Sequence, residues 1–391
     1  MVGNTLAAAL VDSGSRIVLL EGAASVPWND HDYDLRVSAI TRASERILQS
    51  VGAWQGISGR RLSPFSDMQV WDAGGDGHIH FDSADMGEPY LGHIIENSVI
   101  VDALREVVRE ADNIECRVGS RFESYQQAGD YLTVMLDDGG VIECSLLIGA
   151  DGRESAVRDA AAIAVQGHAY GQHALVATVS TMLDHQQTAW QRFLPSGPLA
   201  FLPLADGRCS IVWSTTPDQA AELVELDDDN FCEQLGAAFA HKLGDITATS
   251  KRACYPLVQQ HAQSYIADHV ALVGDAAHAI HPLAGQGVNL GFLDAAALAE
   301  ILLQTAQSKR PLSDPRALAR YQRWRKGDNL SMMWSMTAFK QLFGTQIAPL
   351  RLLRNMGLSA VNGAGPFKQG IIRHAMGLSG DLPRMARSGN G

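Results

Sequence analysis

Residues 270–290 read VALVGDAAHAIHPLAGQGVNL, and the reading of this stretch decides the fold. Val270 to Val273 has the length and apolar character of a short buried strand. It runs into Gly274-Asp275-Ala276-Ala277, a single acid among small residues. Pro282, Gly285 and Gly287 follow, and from there the pattern is helical. So little side-chain bulk lets backbone press against a large flat ligand, while the lone carboxylate accepts hydrogen bonds from it. The stretch predicts a ligand-facing turn at the carboxyl end of a strand in an α/β fold.

Two more places repeat the theme. Tyr131 to Leu136, the turn Asp137 to Gly140, and Val141 to Ile148 predict a hairpin. Its second strand runs into Gly149-Ala150-Asp151-Gly152-Arg153-Glu154-Ser155, again an acid and a glycine after an apolar run. Asp151 is a candidate for a cofactor hydroxyl or for capping the helix that Ser155 starts, and the two roles are compatible. At the amino end, residues 4–12 predict a helix, Gly14 its end and Ile17 to Leu20 a strand, with Glu21 after it. That is the second half of a dinucleotide-binding unit, in which an acid after the second strand takes a ribose. Of the glycine fingerprint only Gly3 is present, so the start reads either as a truncated or misassigned unit or as an architecture that begins with a helix. Glu21 taken singly reads equally well as an exposed strand-end acid.

The remaining segments predict the scaffold. Ser38 to Val51 and Asn97 to Val108 read as helices. Arg36, ahead of the first, is a candidate for a phosphate or ribose. Arg105 and Arg109 on the second read as a solvated face. Met68 to Phe81 predicts strands of a second, more exposed sheet, and 172–180, 198–204 and 209–215 predict strands of one antiparallel sheet. Residues 217–242 form an acidic helical region, with Glu225 to Asp229 a solvated run. Phe201 and Trp213 are pocket candidates for which core filling is the simpler role. After Gly291 the pattern is helical, broken near Pro311, Pro315, Pro349 and Pro366. Arg323, Arg325 and Lys326 precede Leu330, Met332, Met333, Trp334, Met336 and Phe339. That mixture suits packing over the main domain or contact with a membrane or partner.

Bulk properties exclude several classes. A chain of 391 residues exceeds what one core usually organises. A net charge of -12 disfavours a nucleic-acid partner. No uninterrupted apolar run reaches the roughly 20 residues needed to span a bilayer, and no signal sequence opens the chain. The cysteines are scattered, odd in number and never paired as CxxC, which indicates a reducing compartment and no cysteine metal cluster. Asp275, His278 and His281 invite a metal reading, but Pro282 and the glycines turn the segment away from the helix that this spacing needs. No metal is expected. No GxSxG elbow supports a serine hydrolase. Glu21, Asp151 and Asp275 together point to a dinucleotide at three strand ends, with a tightly held flavin favoured over an exchanging nicotinamide.

At this point the chain resembles a known family. The stretches that carry it are LRVSAITRASERILQSVGAW (35–54), GHIIENSVI (92–100), LLIGADGRES (146–155), HALVATV (173–179), FLPLADGRCSIVWS (201–214), ALVGDAAHAIHPLAGQGVNLGFLDAAAL (271–298) and RHAMGL (373–378). The chain is similar to the flavoprotein aromatic hydroxylases of the para-hydroxybenzoate hydroxylase fold. Within them it resembles the ubiquinone-biosynthesis hydroxylases, most closely those acting on 2-polyprenylphenol (2-octaprenylphenol).

The resemblance implies an α/β chain with a Rossmann-like FAD-binding domain, an inserted antiparallel substrate domain and a helical C-terminus. The FAD-binding parts would be residues 1–66, 96–170 and 265–330, the substrate parts 67–95 and 171–264, and the helical region 331–391. Gly3 would be the third glycine of the fingerprint, whose first strand and two glycines the family places before it. Glu21 would take the adenosine ribose and Arg36 the ribose or phosphate region. Asp151 and Gly152 would serve FAD and the pyridine nucleotide, and Gly274 and Asp275 the ribityl chain. Pro282, Gly285, Gln286, Gly287, Val288 and Asn289 would line the isoalloxazine. By the same resemblance NAD(P)H reduces FAD, O2 adds as a C4a-hydroperoxide, and an electron-rich phenol is hydroxylated. Alternatives are a monooxygenase for a small soluble aromatic and an inactive remnant of the fold. Implied partners are a prenylated phenol and other ubiquinone-biosynthesis proteins. The implied location is the cytoplasm, with peripheral contact at the inner face of its membrane left open.

Overall fold

A computed structural model describes residues 1–23, 27–75, 77–279, 287–344, 370, 373 and 376–387, with backbone only for 335–344. Two sheet systems share the chain. The α/β half holds two parallel fragments. Ile17–Glu21 pairs in parallel with Ile114–Val118. Leu147–Gly149 pairs in parallel with Val270–Leu272, which Ile266–Ala267 flanks on its other side. The other half is a nine-stranded sheet centred on the long strand Val165–Thr181. That strand lies between Ala253–Ala262 and Cys209–Thr215, and the sheet runs on through Gly197–Pro203 and Thr188–Leu194 to Asp67–Asp72 and His78–Asp82. The pairing is antiparallel except where Thr188–Leu194 meets Asp67–Asp72 in parallel. The architecture is α/β, with a Rossmann-like fold, an inserted sheet and a helical C-terminal region.

Helices cover the parallel fragments. Val2–Ala9 packs on the long helix Gly287–Gln307 and on Asn97–Arg109. The long helix is apolar nearly all round, as a helix enclosed by protein must be. By length and composition it would also cross a bilayer, but 72% of the relevant window is buried in the fold, as in a core helix. Pro315–Gly344 packs against it in turn. Phe201 and Trp213 lie inside the core beneath the nine-stranded sheet, where Phe201 stacks on Phe239 at 3.8 Å.

Three local expectations are corrected. Residues 38–41 are strand, not helix: Val37–Thr41 pairs with Gly92–Glu96, and the helix is Arg42–Ser50. Thr41 makes the boundary, because its side chain accepts from the Ser44 amide and caps the first turn. The strand expected over 141–148 is two pieces. Val141–Cys144 closes the hairpin with Tyr131–Leu136, and Leu147–Gly149 enters the parallel fragment. His269 forms the joint, its Nδ1 lying 2.8 Å from the Ser145 carbonyl oxygen. Finally, Arg105 is not a solvated side chain. It forms an ion pair with Glu21, the two side chains being 15% and 16% exposed.

Candidate active site

Three turns meet around the start of the amino-terminal helix. Gly3 lies where an added Cβ would come within 3.1 Å of the Ala150 Cβ, which ties the helix start to the Asp151 turn. Gly274 has φ +60, and a Cβ there would come within 3.1 Å of Val2. Gly291 of the long helix meets the same valine, where a Cβ would fall 2.6 Å from its Cγ2. Both contacts need glycine, since any side chain would push the helix off the turn. The uncapped helix start thereby lies beside both Glu21 and Asp275.

The charges arrange themselves around that helix start. The Met1 amine is lowered by burial, and Glu21, Arg105 and Asp275 are its charged neighbours. Glu21 is held by Arg105 and by the Asn4 amide at 3.2 Å, so its carboxylate direction is set. Asp275 is exposed at its own surface, with protein close around it. Burial raises its pKa, against the pull of His278, Arg36, Arg153 and the amino terminus. Arg36 is exposed and packs over the Tyr255 ring at 5.6 Å. Asp151 accepts from the Val157 amide at 3.2 Å and Gly152 sits at φ +88, while Ser155 caps the same helix through the Arg158 amide. Gly287 and Val288 open the long helix half-buried. Asn289 is buried, with its Oδ1 3.0 Å from the Thr41 amide and its Nδ2 2.8 Å from the Ala39 carbonyl oxygen. It therefore clamps the long helix to the Val37–Thr41 strand. Pro282, Gly285 and Gln286, with His281, lie outside the described residues.

Sequence reasoning missed what stands behind the Asp275 turn. Asp294 of the long helix is fully buried and accepts from four groups. The Gly274 amide lies 3.2 Å away, His278 Nε2 2.5 Å, Arg325 Nε 2.8 Å and Asn329 Nδ2 3.0 Å. Burial by itself would push this carboxyl up, but His278 and Arg325 bring it down to about 2. Arg325, read from the sequence only as part of a basic run on a helix that either packs over the main domain or meets a membrane or partner, is 1% exposed. His278 is thus spoken for by a carboxylate, and no group of His, Cys, Asp and Glu able to hold a metal occurs among the described residues. Arg158, also unforeseen, joins the two turns through the carbonyl oxygens of Arg153 at 2.8 Å and Ala276 at 3.4 Å. One signal was available, a lone acid inside the apolar run GFLDAAALA, which demands a buried partner.

A helix start without a side-chain cap, two arginines and an exposed acid fit a ligand with phosphates and hydroxyls along its length. The comparisons agree. The family model described as FAD binding domain matches residues 1–327. The chain is 36% identical to 3-demethoxyubiquinol 3-hydroxylase of Escherichia coli K12, over 97% of this chain and 96% of that one. It is 38% identical to the mitochondrial ubiquinone biosynthesis monooxygenase COQ6 of Xenopus tropicalis, over 96% and 91%. In structure it resembles p-nitrophenol 4-monooxygenase PnpA from Pseudomonas putida DLL-E4, with TM-score 0.78, 20% identity and coverage of 97% and 96%. That last likeness speaks for the fold alone. The chain belongs to the FAD-dependent monooxygenases of the para-hydroxybenzoate hydroxylase fold, among the relatives of the ubiquinone-biosynthesis hydroxylases.

Proposed function

We propose that the protein hydroxylates the aromatic ring of a polyprenylphenol intermediate in ubiquinone biosynthesis, using NAD(P)H and O2. The observation that carries this reading is identity above one third, along nearly the whole chain, with two proteins named for steps on ubiquinone. FAD, when bound, supplies the oxygen activation, and the chain's residues supply its binding and orientation. In this reading Glu21, pinned by Arg105, accepts from the adenosine ribose. The amides at Val2 and Gly3, with Arg36, face the phosphates. Asp275 accepts from the ribityl hydroxyls, and Asp151 with Gly152 serves the neighbouring nucleotide contacts. Gly287 to Asn289 bring a helix N-terminus beside the ring system, where its dipole favours negative charge. Pro282, Gly285 and Gln286 belong to the same wall by their place in the motif. The Asp294 cluster keeps the wall in register without touching the ligand.

The test is to purify the full chain, titrate FAD by fluorescence quenching, and follow NAD(P)H oxidation with a short-chain prenylated phenol. Expected are saturable FAD binding and a hydroxylated product in step with NAD(P)H consumed. Hydrogen peroxide in place of product, with hydroxylation of small soluble phenols, would move the substrate assignment away from ubiquinone. A colourless protein that takes up no FAD would sink the enzymatic reading.

A further inference from the structure

Arg316, Arg320 and Arg323 stand at spacings of four and three on the Pro315–Gly344 helix, so they share one face, and all three are exposed. With Arg310 they line a cleft of about 290 Å³ against Gln304 and Thr305 of the long helix. Arg310 is paired with Asp314 at 2.9 Å and Arg320 donates to Gln304. Among the described residues, the side chains of Arg316 and Arg323 have no partner. Asp314, together with the roughly half-unit of negative charge at the end of the long helix, does not balance four guanidinium groups. This happens in a chain whose net charge is -12, where basic side chains are the scarcer kind. Trp334 lies five helical turns beyond Arg316, on the same face and roughly 27 Å along. Its surface is 73% exposed, the most open of the exposed large apolar side chains.

We propose that this face of the helix docks on a bilayer containing anionic phospholipid, with the arginine cleft taking a headgroup phosphate and Trp334 entering the interface. The planar guanidinium fork matches phosphate oxygens in pairs. An indole is at home where apolar and wet layers meet. Basic and aromatic side chains on one helix face are the combination that interfacial helices use. The choice of a bilayer as occupant rests on the polyprenyl substrate proposed above, whose tail resides in one. The cleft, the charge excess and the alignment with Trp334 stand without it.

Co-sedimentation of the full chain with vesicles tests the surface without substrate or turnover, so its failure is separable from failure of the hydroxylase reading. Binding is expected to phosphatidylcholine vesicles that include phosphatidylglycerol and not to phosphatidylcholine alone. Each of Arg316→Gln, Arg320→Gln and Arg323→Gln should weaken it about fivefold, from roughly 1 kcal/mol per basic side chain at such a surface. The three together should weaken it about 100-fold. Trp334→Ser should weaken binding too, and these exposed substitutions should leave the thermal melt unchanged. Equal binding to both vesicle types, or full binding by the triple variant, would overturn the proposal. So would a chain that ignores vesicles while inorganic phosphate raises the melting temperature of the parent and not of the triple variant, since the cleft would then serve a free anion.

Discussion

The Asp151 turn and the Asp275 turn follow the same recipe and end up different. Each follows a short apolar strand, and the two strands are parallel neighbours, with Leu147 opposite Val270 and Gly149 opposite Leu272. Each pairs an acid with a glycine. Yet Asp151 spends its carboxylate on the Val157 amide of its own helix. Asp275 stays exposed, while its turn is gripped from behind through the Gly274 amide and His278 by Asp294. The first acid is satisfied within its own turn and helix, and the turn of the second is held from behind by distant parts of the chain. On the proposed function, Asp275 is the carboxylate offered to the ligand, and the buried cluster is what would keep its turn from relaxing into local hydrogen bonds.

The largest blow to this contrast should come from Asp294→Ala. It leaves Arg325 and His278 buried without their anion, which costs about 3–5 kcal/mol. Urea unfolding measures it, and a loss under about 1 kcal/mol would mean the cluster is not what holds the turn. Next, Asp275→Ala should weaken FAD binding about 10- to 100-fold, the worth of hydrogen bonds to a charged group. The urea midpoint should not fall, since burial already disfavours this carboxylate in the folded chain. Unchanged FAD affinity would remove Asp275 from the site.

Acid separates the two turns further. The folded pKa of Asp294, about 2, lies below its ordinary value of 3.8. Its contribution, roughly 2 kcal/mol, is present above pH 4 and is lost as the pH falls toward 2. Asp275 has the opposite sign: its pKa is raised, so the ligand-free chain loses stability as pH climbs above the ordinary value of 3.8 and through the raised folded one. Asp275→Asn should therefore make the ligand-free chain more stable at neutral pH, and a pH series of thermal melts reads both effects. The smallest effect belongs to Asp151→Ala, about 1 kcal/mol from one lost bond to a helix amide, with a weaker loss of FAD than at Asp275. If Asp151→Ala matched Asp275→Ala in FAD affinity, the division of labour between the turns would be gone.

Much of this was legible from residues alone. The strand ending at Leu20 or Glu21, the hairpin at Asp137 to Gly140 and the strands around 172–180, 198–204 and 209–215 follow from apolar alternation and turn residues. Where the reading slipped, a longer-range pairing overrode the local pattern. SAI at 38–40 lies in a helix-forming context, yet Gly92–Glu96 recruits it into a sheet. Arg105 looked solvated because its partner Glu21 is 84 residues away. Arg323 and Arg325 are neighbours in one basic run, but two residues on a helix is a turn of about 200°. One faces solvent and the other reaches the core.

The sequence by itself determined the family, the three acid-bearing turns and the kinds of element that carry them. Those depend on backbone preferences and side-chain bulk, which neighbours along the chain encode. Only the tertiary structure decided which carboxylates are buried with partners and which stay exposed. Asp294 meets Arg325 across 31 residues, and Asn289 meets Thr41 across 248. Such partners are chosen by which faces the folded layers bring together, and a buried charge has no stable place until that choice is made.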